Sequence, residues 1–190
     1  RGFDRSTDEY LWYIRRPGED SDWEVIYRLH EDSFENFSIQ GMDEAKPDTI
    51  FVLAHNGRDK EALWEFNVKT KTFGEMIYAR SDVRIAGVRF HSNKWTNQDT
   101  VVGIAYYTDK LHFEYFDGVE AATYAQLEAA IPDAYNVRIT SRSRDGKVLT
   151  VYNSGPHDPG SYYLLKDGKL KAIGSKQPLL KSEDLADVKY

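Results

Sequence analysis

Cysteine is absent from this 190-residue chain, which removes disulfides, thiol nucleophiles and thiolate metal sites together and leaves either redox compartment open. No apolar run approaches the roughly 18 residues that a membrane-spanning helix needs, so no span is expected. An excess of basic charge is missing too. Lys and Arg number 25 against 31 Asp and Glu, a net charge of −6, without the clustered basic surface that nucleic acid requires. Gly-x-Ser-x-Gly, the nucleophile elbow of α/β-hydrolases, occurs nowhere. The five histidines (His30, His55, His91, His112 and His157) stand singly, with no i,i+4 pair, and read as surface or hydrogen-bonded residues. No metal and no cofactor are therefore expected. The Gly155-Pro156-His157-Asp158-Pro159-Gly160 segment has prolines where a phosphate cradle needs amide donors, and reads as a tight strand connection. Glu19-Asp20-Ser21-Asp22 and Glu31-Asp32 match no calcium loop and read as solvated turns. The opening Arg1-Gly2-Phe3-Asp4 has no Met, basic n-region or apolar h-region, so the chain reads as a piece excised from a longer protein.

What the chain has in quantity is aromatic residues, 14% of the total: 13 Tyr, 9 Phe and 4 Trp. Aromatic side chains suit a pleated, half-buried surface, so sheet is favoured over helix. With 41% apolar residues and a mean hydropathy of −0.63, the composition is that of a soluble globular protein, periplasmic or cytoplasmic. Strands are expected at Tyr10–Arg15, Trp23–Leu29, Thr49–Ala54, Ala62–Val68, Phe73–Tyr78, Val83–Phe90, Thr100–Tyr107, Leu111–Phe116, Val137–Ser141, Val148–Asn153, Ser161–Leu165 and Leu170–Ile173. Asp145-Gly146 and Asp167-Gly168 are strong hairpin signals. One helix is expected, Ala121–Ala130, stopped by Pro132. Short turns between successive strands favour antiparallel meanders, and no βαβ alternation appears. Sheet units near 9–38, 48–80, 83–118 and 135–174 recur at about the spacing of a four-stranded propeller blade. The expected fold is all-β, a partial β-propeller of three to four blades with one short inserted helix in a single domain. A sandwich is the alternative.

One segment suggests binding. Val137-Arg138-Ile139-Thr140-Ser141-Arg142-Ser143-Arg144 places Arg138, Arg142 and Arg144 on one face if the strand runs regularly. Three cations there call either for acidic neighbours or for an anionic ligand such as a carboxylate.

From Val83 onward the order of motifs is familiar. Val101-Val102-Gly103-Ile104-Ala105-Tyr106-Tyr107 leads to Leu111-His112-Phe113-Glu114-Tyr115-Phe116, then to a helix ending Ala130-Ile131-Pro132-Asp133. Asn136-Val137-Arg138-Ile139, Ser143-Arg144-Asp145-Gly146-Lys147 and Val151-Tyr152-Asn153-Ser154 follow. Asp158-Pro159-Gly160-Ser161-Tyr162-Tyr163-Leu164 and Lys176-Gln177-Pro178-Leu179-Leu180 close the series, with Leu185 beyond. This order resembles the last blades of the N-terminal propeller in bacterial serine peptidases of the prolyl oligopeptidase family; Asp-Pro-Gly-x-Tyr-Tyr is its most specific part. The likeness covers 83–190, and 1–82 only as generic blades.

The resemblance implies a non-catalytic propeller that gates peptide access to a C-terminal α/β-hydrolase domain of the same parent chain, with the Ser-Asp-His triad outside this sequence. No catalytic residue carries over. Of the paired glutamates with which dipeptidyl peptidases hold a substrate amino terminus, Asp43-Glu44 is only an echo. The alternative is a free-standing propeller-like module that binds a protein or a small ligand. A partial propeller leaves two terminal faces uncovered, and Trp12, Tyr13, Trp23, Tyr162 and Tyr163 are the interface candidates there. Self-association as a symmetric homodimer is expected, against a monomer that covers those faces with its own loops.

Overall fold

The computed structural model describes residues 1–18, 21–42, 45–96 and 100–186. Half of the residues lie in strands and 9% in helix. The strands form four antiparallel sheets, each in chain order without a crossover. The first sheet joins β1 (Gly2–Asp4), β2 (Glu9–Arg15) and β3 (Trp23–His30). The second joins β4 (Phe37–Met42), β5 (Thr49–Ala54), β6 (Ala62–Asn67) and β7 (Thr72–Tyr78). The third joins β8 (Ile85–Phe90), β9 (Val101–Tyr107) and β10 (Leu111–Tyr115). After the helix α1 (Gly118–Ala130) comes the fourth, built from β11 (Arg138–Arg142), β12 (Val148–Gly155), β13 (Asp158–Lys166) and β14 (Lys169–Ser175). The chain is all-β, a succession of blade-like meanders with one inserted helix, which is the strand pattern of a partial propeller.

The sheet boundaries differ from the expected blades at both ends of the first unit: an unexpected strand, Gly2–Asp4, pairs with β2 and opens that sheet before residue 9. Phe37–Met42 pairs with β5 and belongs to the second sheet, so the first unit ends at His30 rather than near residue 38. Backbone pairing fixes the assignment, with Phe37 opposite Ala54, while its almost fully buried ring meets Phe66 of its own sheet and Tyr27 and Trp12 of the first.

The chain divides into two compact units, Arg1–Ala86 and Gly87–Tyr190. In the first, Trp12 and Ile26 from one sheet meet Phe37, Ile50, Val52 and Phe66 from the next. The rings interlock edge to face: Trp12 lies 5.4 Å from Phe37, and Phe37 lies 5.0 Å from Phe66. Such pairs contribute about 0.5–1.5 kcal/mol each beyond the area they bury. In the second unit, Tyr124, Leu127 and Ile131 from α1 and its C-cap pack on Val137, Leu149 and Val151 of the fourth sheet.

The helix starts three residues before the expected Ala121. Asp117 caps it, its side chain accepting the Glu120 N–H at 2.8 Å, and this satisfies an amide the first turn leaves unpaired. The Asp167-Gly168 hairpin is as expected: φ values of 51° and 70° at its two central residues are those of the turn type that matches strand twist. Gly155 pairs with Asp158, so Pro156 and His157 form the tight strand connection read from the sequence.

Candidate functional site

The second unit carries a cavity of about 440 Å³ walled by β8, residues 91–95 after it, α1 and β11. Its chemistry is organised by one helix face. Glu120 and Tyr124 are four residues apart on α1, one turn above the other on the same side. Glu120 is fully buried and accepts the Ser92 hydroxyl at 2.9 Å, the Ser92 N–H at 3.3 Å and Arg142 Nη2 at 3.1 Å. His91 Nε2 lies 3.8 Å from the same carboxylate, and His91 Nδ1 accepts the Asn93 N–H, which leaves the ring proton on the nitrogen facing Glu120. One turn on, the Tyr124 hydroxyl meets Arg89 Nη2 at 3.3 Å and the Ile139 N–H at 3.4 Å. Arg89 also lies 4.2 Å above the Phe113 ring.

Glu120 sits in the first turn of α1, where the unpaired amides and the helix dipole favour negative charge. Around it the balance is positive. Arg89, Lys94 and Arg142 line the cavity, and Glu120 is the one carboxylate contacting any of them among the described residues. The Nε–H groups of Arg89 and Arg142 are buried without an acceptor. Val88, Phe90, Trp95 and Ile139 supply an apolar wall, with the Trp95 indole N–H tied to the Arg142 carbonyl at 3.2 Å.

Of the three arginines expected on one face, the structure brings only Arg142 to this cavity. A bulge at Thr140 breaks the alternation: Ile139 pairs with Val151, while Ser141 pairs with the next residue back, Thr150. One extra residue flips the faces of everything after it. Arg142 thus sits opposite Leu149 on the core side, and Arg138 sits opposite Tyr152 on the other side, its guanidinium 5.3 Å from that ring. Arg144 falls beyond β11 in the following turn, exposed, with its backbone carbonyl accepting from Asn93 at 3.4 Å. The single-face stripe is thereby corrected. Arg138 instead lines a second cavity of about 410 Å³ with Tyr107, Lys110 and Tyr135.

The five interface candidates have different fates. Trp12 is buried at 6% exposure in the core of the first unit, so it is not a surface residue; Phe37 and Tyr27 cover it. Tyr13 is half-buried. Trp23 is exposed at 66%. Tyr162 is at the margin of exposure, its ring 4.9 Å from Tyr152, and Tyr163 packs against the core of the second unit. Asp43-Glu44 and Glu19-Asp20 lie outside the described residues. Among those described, no three His, Asp or Glu residues converge as a metal site.

The Asp-Pro-Gly-Ser-Tyr-Tyr segment has a structural role. Asp158 is buried and accepts Asn153 Nδ2 at 2.7 Å, the Gly160 N–H at 2.9 Å and the Ser161 hydroxyl at 2.8 Å. Asn153 also donates to the Asp133 carbonyl and accepts the Tyr135 N–H, so one amide side chain binds the connection after α1 to the β12–β13 corner. Gly160 has φ +118°, and a Cβ there would stand 2.6 Å from the Tyr152 hydroxyl.

The residue that sequence reasoning missed is Glu120. Asp117 and Glu120 form the Asp-x-x-Glu pattern of a helix start, which accounts for both acids without suggesting a buried hub. Arg89 and Lys94, in and after β8, carried no signal at all. Neither a protein-family model nor a curated protein matches the chain.

Proposed function

We propose that the chain is the propeller region of a prolyl oligopeptidase-like serine peptidase. In this reading it is non-catalytic and shapes the access of peptide substrates to a C-terminal α/β-hydrolase domain of the same parent chain. The observation that carries the reading is the run of four antiparallel meanders in chain order, with the family-like Asp158–Tyr163 segment serving as the rigid corner of the fourth. Corner residues of that kind set blade geometry, which is the work the segment would do in such a propeller.

The reading frame downstream of Tyr190 tests this. A Gly-x-Ser-x-Gly strand-turn-helix within a few hundred residues is expected, together with labelling of the full-length protein by a fluorophosphonate. A frame that ends without that element overturns the proposal. The second reading, a ligand-binding module in its own right, is favoured by the cationic cavity of the second unit.

A further inference from the structure

We infer that the cavity walled by β8, α1 and β11 binds a small organic acid, with its carboxylate held by Arg89, Lys94 and Arg142 and its apolar body laid against Phe90 and Trp95. The inference stands on the second unit alone and does not rest on the peptidase reading.

Charge is the first argument. Three cations line the cavity, and among the described residues one carboxylate, that of Glu120, contacts one of them, Arg142, inside a chain whose overall charge is −6. Packing cations together is unfavourable unless something offsets them, and Glu120 is already shared among Arg142, Ser92 and His91. Arg89 has no carboxylate partner among the described residues; its guanidinium is held by the Tyr124 hydroxyl and the Phe113 ring. Lys94 is exposed at the rim without a partner among the described residues.

Geometry is the second. Arg142 is anchored to Glu120 and Arg89 to Tyr124, residues one helical turn apart, so both guanidinium groups are held by the same helix and both residues line the same cavity. Each also buries an Nε–H without an acceptor, and a buried donor left unpaired is unfavourable. A planar carboxylate presents two acceptor oxygens and matches the guanidinium edge.

Size and wall chemistry decide between an organic acid and a bare anion. A volume of about 440 Å³ falls in the range of small-molecule pockets, far larger than inorganic phosphate requires. Phe90 is 40% and Trp95 68% exposed, and a bare anion would leave both in water. A ligand with an apolar body would cover them.

The test is titration calorimetry of the chain with 3-phenylpropanoate, 3-phenylpropanamide and inorganic phosphate, combined with the Trp95 indole N–H resonance, assigned through Trp95→Phe. Saturable binding of the acid with movement of that resonance is expected. Binding should weaken about tenfold or more for the amide, for Arg89→Gln and for Lys94→Gln, since loss of one charge-assisted contact is of that order. Lys169→Gln, on an exposed strand of the fourth sheet, should bind as the parent does. Lys94 is exposed and has no partner among the described residues, so its variant keeps the fold even if Arg89→Gln does not. The proposal is overturned if the acid gives no saturable signal, if acid and amide bind alike, if phosphate binds as tightly as the acid, or if folded Lys94→Gln binds unchanged.

Discussion

Removing Glu120 should destabilise the second unit more than removing any one of the cations around it. Its carboxylate is fully buried and the Arg142 side chain is 11% exposed, so the pair sits where water cannot take over for a missing partner. Breaking such a pair from one side costs about 3–5 kcal/mol, chiefly because the surviving charge stays buried. Glu120→Leu leaves the Arg142 guanidinium without its counter-charge and the Ser92 hydroxyl without its acceptor, which places it at the upper end. Arg142→Met leaves a carboxylate that still receives two bonds from Ser92 and sits at a helix start, worth about 0.3–1 kcal/mol to a negative charge. That variant should cost about 1 kcal/mol less than the first. The double variant replaces two charges by apolar groups of similar size and should cost well below the sum, with a coupling of about 2 kcal/mol or more. Native-state hydrogen exchange at the Tyr124 and Leu127 amides, in the middle of α1, reads the opening free energy of this unit without interference from the other. Single variants costing under about 1 kcal/mol, or strictly additive effects, would refute the view that the pair is desolvated and coupled.

At the other polar centre of this unit, Asp158→Ala removes the acceptor of three hydrogen bonds, one of them from buried Asn153, and should lower stability by about 2–4 kcal/mol by urea unfolding. Gly160→Ala should also destabilise, because the new Cβ meets Tyr152 at a positive φ; a stability equal to the parent would contradict the packing described. Burial pushes the Tyr115 hydroxyl well above the ordinary tyrosine range, with the Tyr124 ring stacked beside it adding to the effect. The folded state thus holds that proton more tightly than the unfolded chain. Stability from this group is fully present below about pH 10 and falls as pH rises beyond it. Alkaline unfolding followed by circular dichroism should therefore shift to higher pH in Tyr115→Phe, and an unchanged midpoint would count against the assignment.

Much of the fold was legible because the strands of this chain carry their own signals. Thr49–Ala54 is apolar from Ile50 onward and is found as a strand at those bounds, and turns such as Asp167-Gly168 fix the register between neighbours. The strand at Phe37–Met42 was not legible: polar Ser38 and Gln40 and the flexible Gly41 dilute its pattern, and pairing with β5 supplies what local propensity does not. Trp12 was misplaced for a related reason. An aromatic in a first sheet looks available for an interface until Phe37, 25 residues on, is seen to cover it. The arginine stripe failed on a single residue. Nothing in Ile139-Thr140-Ser141 announces a bulge, yet the Thr140 hydroxyl bonds to Thr150, and every side chain after it changes face.

The two polar centres of the second unit differ in a way that separates structure from function. At the β12–β13 corner the accounts close. Both N–H groups of the Asn153 amide find acceptors, its oxygen receives the Tyr135 N–H, and both oxygens of Asp158 are engaged. A buried network satisfied in this way fixes geometry and has nothing left to offer a ligand. Around Glu120 they do not close. Two guanidinium groups keep unpaired Nε–H donors, positive charge outnumbers negative among the described residues, and two aromatic side chains stand exposed beside them. Local rules that a fold obeys nearly everywhere are most often broken where binding requires it. The conspicuous sequence motif therefore marks the corner that holds the blade together, and the inferred ligand site falls on Arg142, the one member of the arginine segment to reach it, with Arg89 and Lys94, which no motif marks.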